Sequence, residues 1–213
     1  MASDAINAGF VNNAGRAPII AASKGRSRMK TNAVSSQSYD RVMRAVHWTT
    51  LVLVAAAFTA VWIADPAIVG SYVGPVVHLH RSLGLTVAAL TVFRLVWRWR
   101  VGVPALPVDL PTTQKIGARA VEGLIYLLLL AQPLVGLLYT NTYGLRVNYF
   151  LLVELPAVMA RDRPLGMLLG EIHSFLGYTL LTLIGLHAAA ALFHHFIRRD
   201  DVLNAMLPPR LRR

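Results

Sequence analysis

The chain contains seven histidines, and all of them lie in or beside long apolar stretches: His47, His78, His80, His173, His187, His194 and His195. An ionisable side chain inside a membrane is costly, tends to face the interior of a helix bundle and often marks function. A single histidine there is as often only a hydrogen-bond partner between helices. The depth of each histidine in the membrane therefore decides what chemistry the set can support.

Four apolar stretches are long enough to cross a membrane, and they cover approximately residues 42–64, 76–99, 118–140 and 172–197. A helix needs about 20 residues to cross the hydrocarbon core, and backbone groups in lipid must be satisfied within the segment, which favours helices. Only 15% of the chain is charged, against roughly 25% in soluble domains. We predict an all-α integral membrane four-helix bundle, in which Pro133 kinks the third span without ending it.

The basic residues follow the membrane. All but four of the 21 lysines and arginines lie before or at the start of the first span, at or between the facing ends of the second and third spans, or after the fourth span; the exceptions are Arg81, Arg146, Arg161 and Arg163. The positive-inside rule then places both termini in the cytoplasm. A net charge of +11 in a soluble protein would favour nucleic-acid binding, but here it follows the topology. Membrane lipid is thus an expected partner and nucleic acid is not.

We expect three parts in the chain: a flexible N-terminal extension at residues 1–38, the bundle at 39–207 and a basic tail at 208–213. A secretory signal peptide is not expected, because no long apolar segment precedes residue 42. An organellar transit peptide is the alternative interpretation of residues 1–38. Prolines stiffen the connection at 100–114. The connection at 141–170 is long and contains aromatic residues, so we expect it to include a short helix at the outer interface.

Four of the histidines form two pairs by depth. Spans one and four run in opposite directions, so His47 and His187 fall near the cytoplasmic side, and His80 and His173 fall near the outer side. His173 and His187 are fourteen residues apart, which is close to four helical turns or about 21 Å, so both project from one helix face. Two level-matched pairs on facing helices predict two haems, one above the other.

Other metal centres fit the pattern less well. Zinc and di-iron sites need three or four clustered ligands, often with carboxylates, and the acids near the spans lie mostly at span ends: Asp40, Asp65, Glu122, Glu171 and Asp200. The chain has no cysteine, which excludes disulfides, iron–sulfur clusters and thioether-linked haem. A transporter or structural bundle with a histidine proton relay remains the alternative without haem.

Small and basic residues accompany the histidine pairs. Gly84 lies one turn after His80 and Gly177 one turn after His173, which would leave room for a porphyrin, although small residues also let membrane helices pack closely. Gly136 and Gly185 add space deeper in the bundle. The candidates for propionate contacts are Arg44, Arg94 and Arg81. For Arg44 and Arg94 the alternative is simple snorkelling at a helix end.

Three segments resemble the bacterial cytochrome b561 family. They are Tyr-Asp-Arg-Val-Met-Arg-Ala-Val-His-Trp at 39–48, His-Arg-Ser-Leu-Gly at 80–84, and the last span with Glu-Ile-His-Ser-Phe-Leu-Gly-Tyr at 171–178 and Gly-Leu-His at 185–187. The resemblance extends from residue 39 to about 207, and it is strongest to small stand-alone members such as the superoxide oxidase type. It implies a dihaem cytochrome b of the inner membrane, liganded by His47 with His187 and by His80 with His173.

The resemblance also implies partners. Superoxide would supply electrons at the outer face and ubiquinone would accept them, with His194 as a possible quinone contact; a histidine at a helix end is the alternative reading of His194. His78 is two residues from His80 and points about 200° away around the helix, so we expect it at the outer surface, although a ligand exchange with His80 stays open. His195 points away from the His187 face.

The functional hypothesis is a one-electron relay between the outer face and quinone. Two imidazoles per iron leave no open position, which disfavours oxygen binding. The main alternative is an electron-transfer subunit that connects a periplasmic dehydrogenase, hydrogenase or soluble cytochrome to quinone. The four arginines assigned to the outer side are candidates for attracting an anion such as superoxide.

Overall fold

The computed structural model describes residues 38–102, 104 and 111–212. The expected flexible extension, except residue 38, lies outside the described residues, as do residues 103 and 105–110 of the proline-stiffened connection and Arg213. Everything below refers to the described part of the chain.

Four long helices form the structure. In chain order the helices are α1 (Arg41–Ile63), a short α2 (Pro66–Val69) followed by a 3-10 turn at Gly70–Tyr72, α3 (Val73–Val101), α4 (Thr112–Thr142) and α5 (Arg163–Phe193), which continues as a π-helical turn over His194–Arg198. α1, the α2–α3 segment, α4 and α5 are each long and apolar enough to cross a membrane. The predicted four-helix membrane fold is confirmed.

The helix starts are set by local capping. Asp40 accepts a hydrogen bond from the backbone N–H of Met43 at 2.7 Å, and Asp162 accepts one from that of Leu165 at 3.0 Å. A proline in the first turn of α5 favours the same start, because its ring suits the helical φ and its missing N–H would be unpaired there anyway. α5 therefore begins at residue 163 rather than near 172, where the apolar sequence begins.

The helices pack in sequence, α1 on α3, α3 on α4 and α4 on α5. A buried apolar cluster joins them in the middle of the bundle and contains Val54, Val87, Leu128, Leu129 and Leu180. As expected, α4 continues through Pro133 without ending. Proline leaves one backbone carbonyl of its own helix without a partner, and neighbouring helices in a membrane bundle can satisfy that carbonyl. The cluster lies between the end of the bundle that carries His80 and His173 and the end that carries His47 and His187.

The connection between α4 and α5 contains a β-hairpin instead of the expected short helix. β1 (Asn148–Tyr149) pairs antiparallel with β2 (Val153–Glu154). Between them, Phe150 and Leu151 have positive φ angles of 47° and 60°. Two consecutive positive φ angles produce the tight turn that joins antiparallel strands, and they are incompatible with a right-handed helix.

The C-terminal segment, residues 200–212, folds back onto the start of α1. The backbone N–H of Tyr39 donates to the carbonyl of Ala205 at 3.1 Å. Arg44 Nη1 donates to the carbonyl of Leu207 at 2.9 Å and Trp48 Nε1 to that of Met206 at 3.0 Å. The segment thus holds the part of α1 that carries His47.

Candidate cofactor sites

Two histidine pairs meet across the bundle at different levels. His80 of α3 faces His173 of α5 with ring centres 6.1 Å apart and ring planes at 83°. His47 of α1 faces His187 of α5 with ring centres 6.4 Å apart and planes at 66°. We call these the outer pair and the inner pair.

The spacing of both pairs suits a shared metal ion. A ligating imidazole nitrogen lies about 2 Å from its metal, and the ring centre lies about 1 Å further, so rings on opposite sides of one metal have centres about 6 Å apart. Both measured separations match this value. Each site offers two imidazoles, and among the described residues no three histidine or carboxylate side chains cluster as a metal site. The donor set therefore fits a haem iron, whose remaining ligands come from the porphyrin.

One ring of the outer pair has a defined proton position. His80 Nδ1 lies 2.8 Å from the carbonyl oxygen of Ala57. A carbonyl only accepts, so Nδ1 carries the hydrogen and Nε2 keeps its lone pair for a metal. Such a hydrogen bond on the second nitrogen is what fixes the orientation of metal-ligating histidines.

The outer pair borders a cavity of about 530 Å³, within the size range of cofactor pockets. All four long helices contribute to its walls, together with Val147 from the loop before β1. Both outer histidines, Arg81, Gly84 and Gly177 lie along it. The cavity is mostly apolar with few polar groups, which suits a porphyrin face.

Glycine is required beside His173. A Cβ added to Gly136 would lie 2.9 Å from His173 Cε1, closer than a carbon contact allows. Tyr139, three residues further along α4, stacks on His173 with ring centres 6.3 Å apart. The Nδ1 atom of His173 is buried and has no hydrogen-bond partner among the described residues. Packing, and not a hydrogen bond to the ring, holds His173 in place.

Arg94 lies near the inner pair. It follows His80 by fourteen residues, which places it about 21 Å further along α3, at the level of His47 and His187, and its guanidinium carbon lies 5.2 Å from the ring centre of Tyr126. Within the described part of the chain, its buried Nε has no hydrogen-bond partner. A buried donor without a partner is costly. Arg94 would remove this cost by donating to an anionic group such as a propionate.

An ion pair connects α3 and α4 one turn beyond Arg94. The two terminal nitrogens of Arg98, Nη1 and Nη2, donate to the two carboxylate oxygens of Glu122. Tyr39 lies close by, outside the spans, where burial and, secondarily, the Glu122 carboxylate raise the pKa of its phenol. Trp97 Nε1 donates to the Asp40 carboxylate at 2.8 Å, which ties α3 to the start of α1.

The other predicted contact residues occupy varied positions. Arg81 lines the outer cavity. Arg44 Nη1 donates to the carbonyl of Leu207. His194 Nδ1 lies 2.5 Å from the Asp200 carboxylate, and Arg198 Nε lies 3.5 Å from the same group.

The two remaining histidines belong to neither facing pair in the described structure. His80, and not His78, has its ring beside His173, while the buried Nδ1 of His78 has no partner among the described residues. His195 packs edge-on against Phe196. A Cβ on Gly185 would meet no atom within 4 Å.

Several groups around the pairs could not be recognised from the sequence alone. The Ala57 carbonyl carries no sequence signal, because every residue has one. Tyr139, Glu122 and Arg98 can be seen in the sequence as aromatic and charged residues in or near the spans. That Tyr139 contacts His173 and that Glu122 pairs with Arg98 depends on how the helices pack.

Comparison with known proteins decides the family. The family model described as prokaryotic cytochrome b561 matches residues 38–209. The chain belongs to the prokaryotic cytochrome b561 family. It is therefore a haem b protein of electron transport and a multi-pass protein of the bacterial inner membrane.

Three individual relatives align in sequence with this cytochrome b561 along nearly their whole lengths. Cytochrome b561 homolog 2 of Escherichia coli K12 is 30% identical over 80% of the chain and 92% of its own length. The probable superoxide oxidase CybB of Yersinia pestis is 29% identical over 81% and 97%. Cytochrome b562 of Cereibacter sphaeroides is 30% identical over 81% and 96%.

Proposed function

We propose that this cytochrome b561 binds two haems b and relays electrons between the outer face of the membrane and membrane quinone. The observation that carries the proposal is the presence of two facing histidine pairs with ring centres 6.1 and 6.4 Å apart. They lie at levels about 21 Å apart along α5. One pair alone would serve a single redox centre near one surface, whereas two levels span most of the membrane.

The residues assigned to the haems are His80 with His173 and His47 with His187. When bound there, haem supplies reversible one-electron oxidation and reduction. The protein orients both porphyrins, excludes water and supplies charge. Arg94 is the candidate for a propionate of the inner haem because it keeps a free buried donor, and Arg81 is the candidate at the outer cavity. Arg44 has a weaker claim because a backbone carbonyl already occupies one of its donors.

We propose superoxide as the electron donor and ubiquinone as the acceptor. The name of the Yersinia relative, a probable superoxide oxidase, supports this choice. Arg81 places a cation at the outer cavity, where it would attract an anion. Each superoxide gives up one electron and becomes dioxygen. Ubiquinone takes up two electrons and two protons to form ubiquinol.

His194 is the proposed quinone contact. It follows His187 by seven residues, which is nearly two turns, so it lies on the same face of the helix and about 10 Å further toward the inner end. The Asp200 carboxylate at 2.5 Å fixes its ring. The π-helical turn over His194–Arg198 is of a kind that often occurs at functional sites.

The purified protein tests the donor and the acceptor in one experiment. Superoxide generated in the presence of ubiquinone should reduce the b-type absorption bands rapidly and form ubiquinol, and superoxide dismutase should suppress both. Arg81→Ala should slow the haem reduction several-fold, whereas Arg146→Ala is the control, because Arg146 is already paired with Glu154 at 2.5 Å.

If superoxide does not reduce the haem-loaded protein, superoxide is not the electron donor. If a periplasmic redox protein co-purifies and reduces the haems instead, the electron-transfer subunit is the correct function.

A further inference from the structure

The β-hairpin between α4 and α5 has an apolar tip and a charged base. Leu151 and Leu152 at the tip are 76% and 82% exposed within the described structure. At the base, Arg146 Nη1 pairs with the Glu154 carboxylate at 2.5 Å. An exposed pair of leucines is unfavourable in water, because their apolar surface stays hydrated.

The turn conformation adds to this cost. Phe150 and Leu151 both adopt positive φ angles, 47° and 60°, where glycine, asparagine or aspartate is usual. Bulky apolar residues at such positions need a compensating gain from their surroundings. Burial in the protein gives little of it to Leu151, which is 76% exposed, and only part of it to Phe150, which keeps 42% of its surface exposed.

The hairpin lies beside the membrane-spanning part of α3. The backbone N–H of Phe150 donates to Ser82 Oγ at 2.9 Å, and the Tyr149 hydroxyl hydrogen bonds with Thr86 Oγ1 at 3.0 Å. Ser82 and Thr86 follow His80 by two and six residues, which places them about 3 and 9 Å further toward the middle of the bundle. The hairpin thus reaches the depth of the outer histidine pair.

The hairpin backbone is largely satisfied for such a position. Strand pairing joins Asn148 with Glu154 and Tyr149 with Val153. The N–H of Leu152 donates to the carbonyl of Tyr149 at 2.9 Å, and that of Leu155 donates to Val147 at 2.8 Å. Non-helical backbone is excluded from the hydrocarbon centre unless its polar groups are paired. These bonds permit a position at the boundary between headgroups and acyl chains.

We propose that the hairpin, residues 147–155, inserts into the membrane leaflet on the side of the outer pair. Leu151 and Leu152 lie among the acyl chains, and the Arg146–Glu154 ion pair lies at the headgroups. Interfacial elements commonly bury their apolar groups to about 5–10 Å in this way. The partner is lipid, and neither a second copy of the chain nor a periplasmic protein covers the tip.

The insertion also supports the outer site. Val147, at the start of the hairpin, is buried with 2% of its surface exposed and forms part of the wall of the outer cavity. A lipid-anchored hairpin that is hydrogen bonded to Ser82 keeps this wall against α3. Insertion of the hairpin requires neither superoxide nor ubiquinone as a partner of the protein.

Single cysteines test the insertion, because the natural sequence has none. Leu151→Cys and Leu152→Cys are labelled with a nitroxide in the full chain and reconstituted into phosphatidylcholine vesicles. Collision rates with dioxygen, which concentrates in lipid, and with a water-soluble nickel chelate are then measured. Leu127→Cys, on a 60% exposed position of α4, is the lipid-facing control, and Arg210→Cys is the control for an aqueous position.

We expect both hairpin labels to behave like the label at 127, with dioxygen collisions dominant. Labels at 151 and 152 that collide with the nickel chelate as often as the label at 210 would overturn the insertion. Spin–spin broadening that disappears on dilution with unlabelled protein would show that a second copy covers the tip, which would also overturn it. The readout needs no enzymatic activity, so it is separate from the test of electron transfer.

Discussion

His80 and His173 reach the same site by different means. A backbone hydrogen bond to Ala57 orients His80, whereas His173 is held by Gly136 and Tyr139. Helical spacing alone predicted which histidines face each other, because depth and periodicity follow directly from residue number. It could not predict these supports, since they depend on the distances between helices.

Gly136→Ala should damage the outer site. The added Cβ would lie 2.9 Å from His173 Cε1, and overpacking of this kind costs about 1–3 kcal/mol. We expect weaker haem retention at the outer site by roughly 5-fold to 150-fold, together with a shift of its reduction potential. Spectroscopic redox titration measures both.

Gly123→Ala is the matched control on the same helix, because a Cβ there meets no atom within 4 Å. The control should keep the wild-type titration curve. Unchanged behaviour of Gly136→Ala would show that His173 does not occupy the described position in the loaded protein.

At the scale of the helices, the Arg98–Glu122 ion pair links α3 to α4. Both side chains are about seven-tenths buried, and hydrogen bonds to charged groups stabilise by about 1.5–3 kcal/mol. Glu122→Gln should therefore lower the thermal stability of the helices by a few degrees, measured by circular dichroism in detergent.

The exposed Arg146–Glu154 pair provides the comparison for that measurement. Solvent screens such pairs, so Arg146→Ala should leave the unfolding temperature nearly unchanged. A larger effect from Arg146→Ala than from Glu122→Gln would contradict the assignment of the buried pair as the stabilising one.

The C-terminal segment should position the inner pair. Its carbonyls accept hydrogen bonds from Arg44 and Trp48, which flank His47 on α1. Removal of residues 205–213 should therefore shift the reduction potential of the inner haem and leave that of the outer haem in place. Potentiometric titration distinguishes the two centres.

Arg210→Ala is the control for the truncation, since Arg210 is exposed and lies outside the three contacts to α1. Equal shifts at both haems would contradict a local role and indicate a general loosening of the bundle.

The helices and their membrane character could be predicted because long apolar stretches have few alternatives. The start of α5 was missed because Glu171, Gly166 and Gly170 interrupt the apolar pattern, while Asp162 still caps the helix. The hairpin was missed because Phe150 and Leu151 are not turn-forming residues. The return of the C-terminal segment to α1 has no local signal at all.

For the whole molecule, the number of spans and the distribution of charge predict different aspects of its topology in the membrane. Four spans place both ends of the bundle on one side, and the basic residues predict that this side is the cytoplasm. A fluorescent protein fused to the C-terminus should fluoresce, and alkaline phosphatase fused after residue 160 should be active. Activity of a phosphatase fused to the C-terminus would reverse the orientation.

The haem count per chain tests the central claim most directly. A pyridine haemochrome assay on purified protein, expressed with ample haem, should give two haems b for the wild type, and one or none for His47→Ala, His80→Ala, His173→Ala or His187→Ala. His195→Ala, outside both pairs, should keep two. Wild-type protein with fewer than two haems, or a variant of any paired histidine that keeps both, would contradict the assignment of two bis-histidine sites.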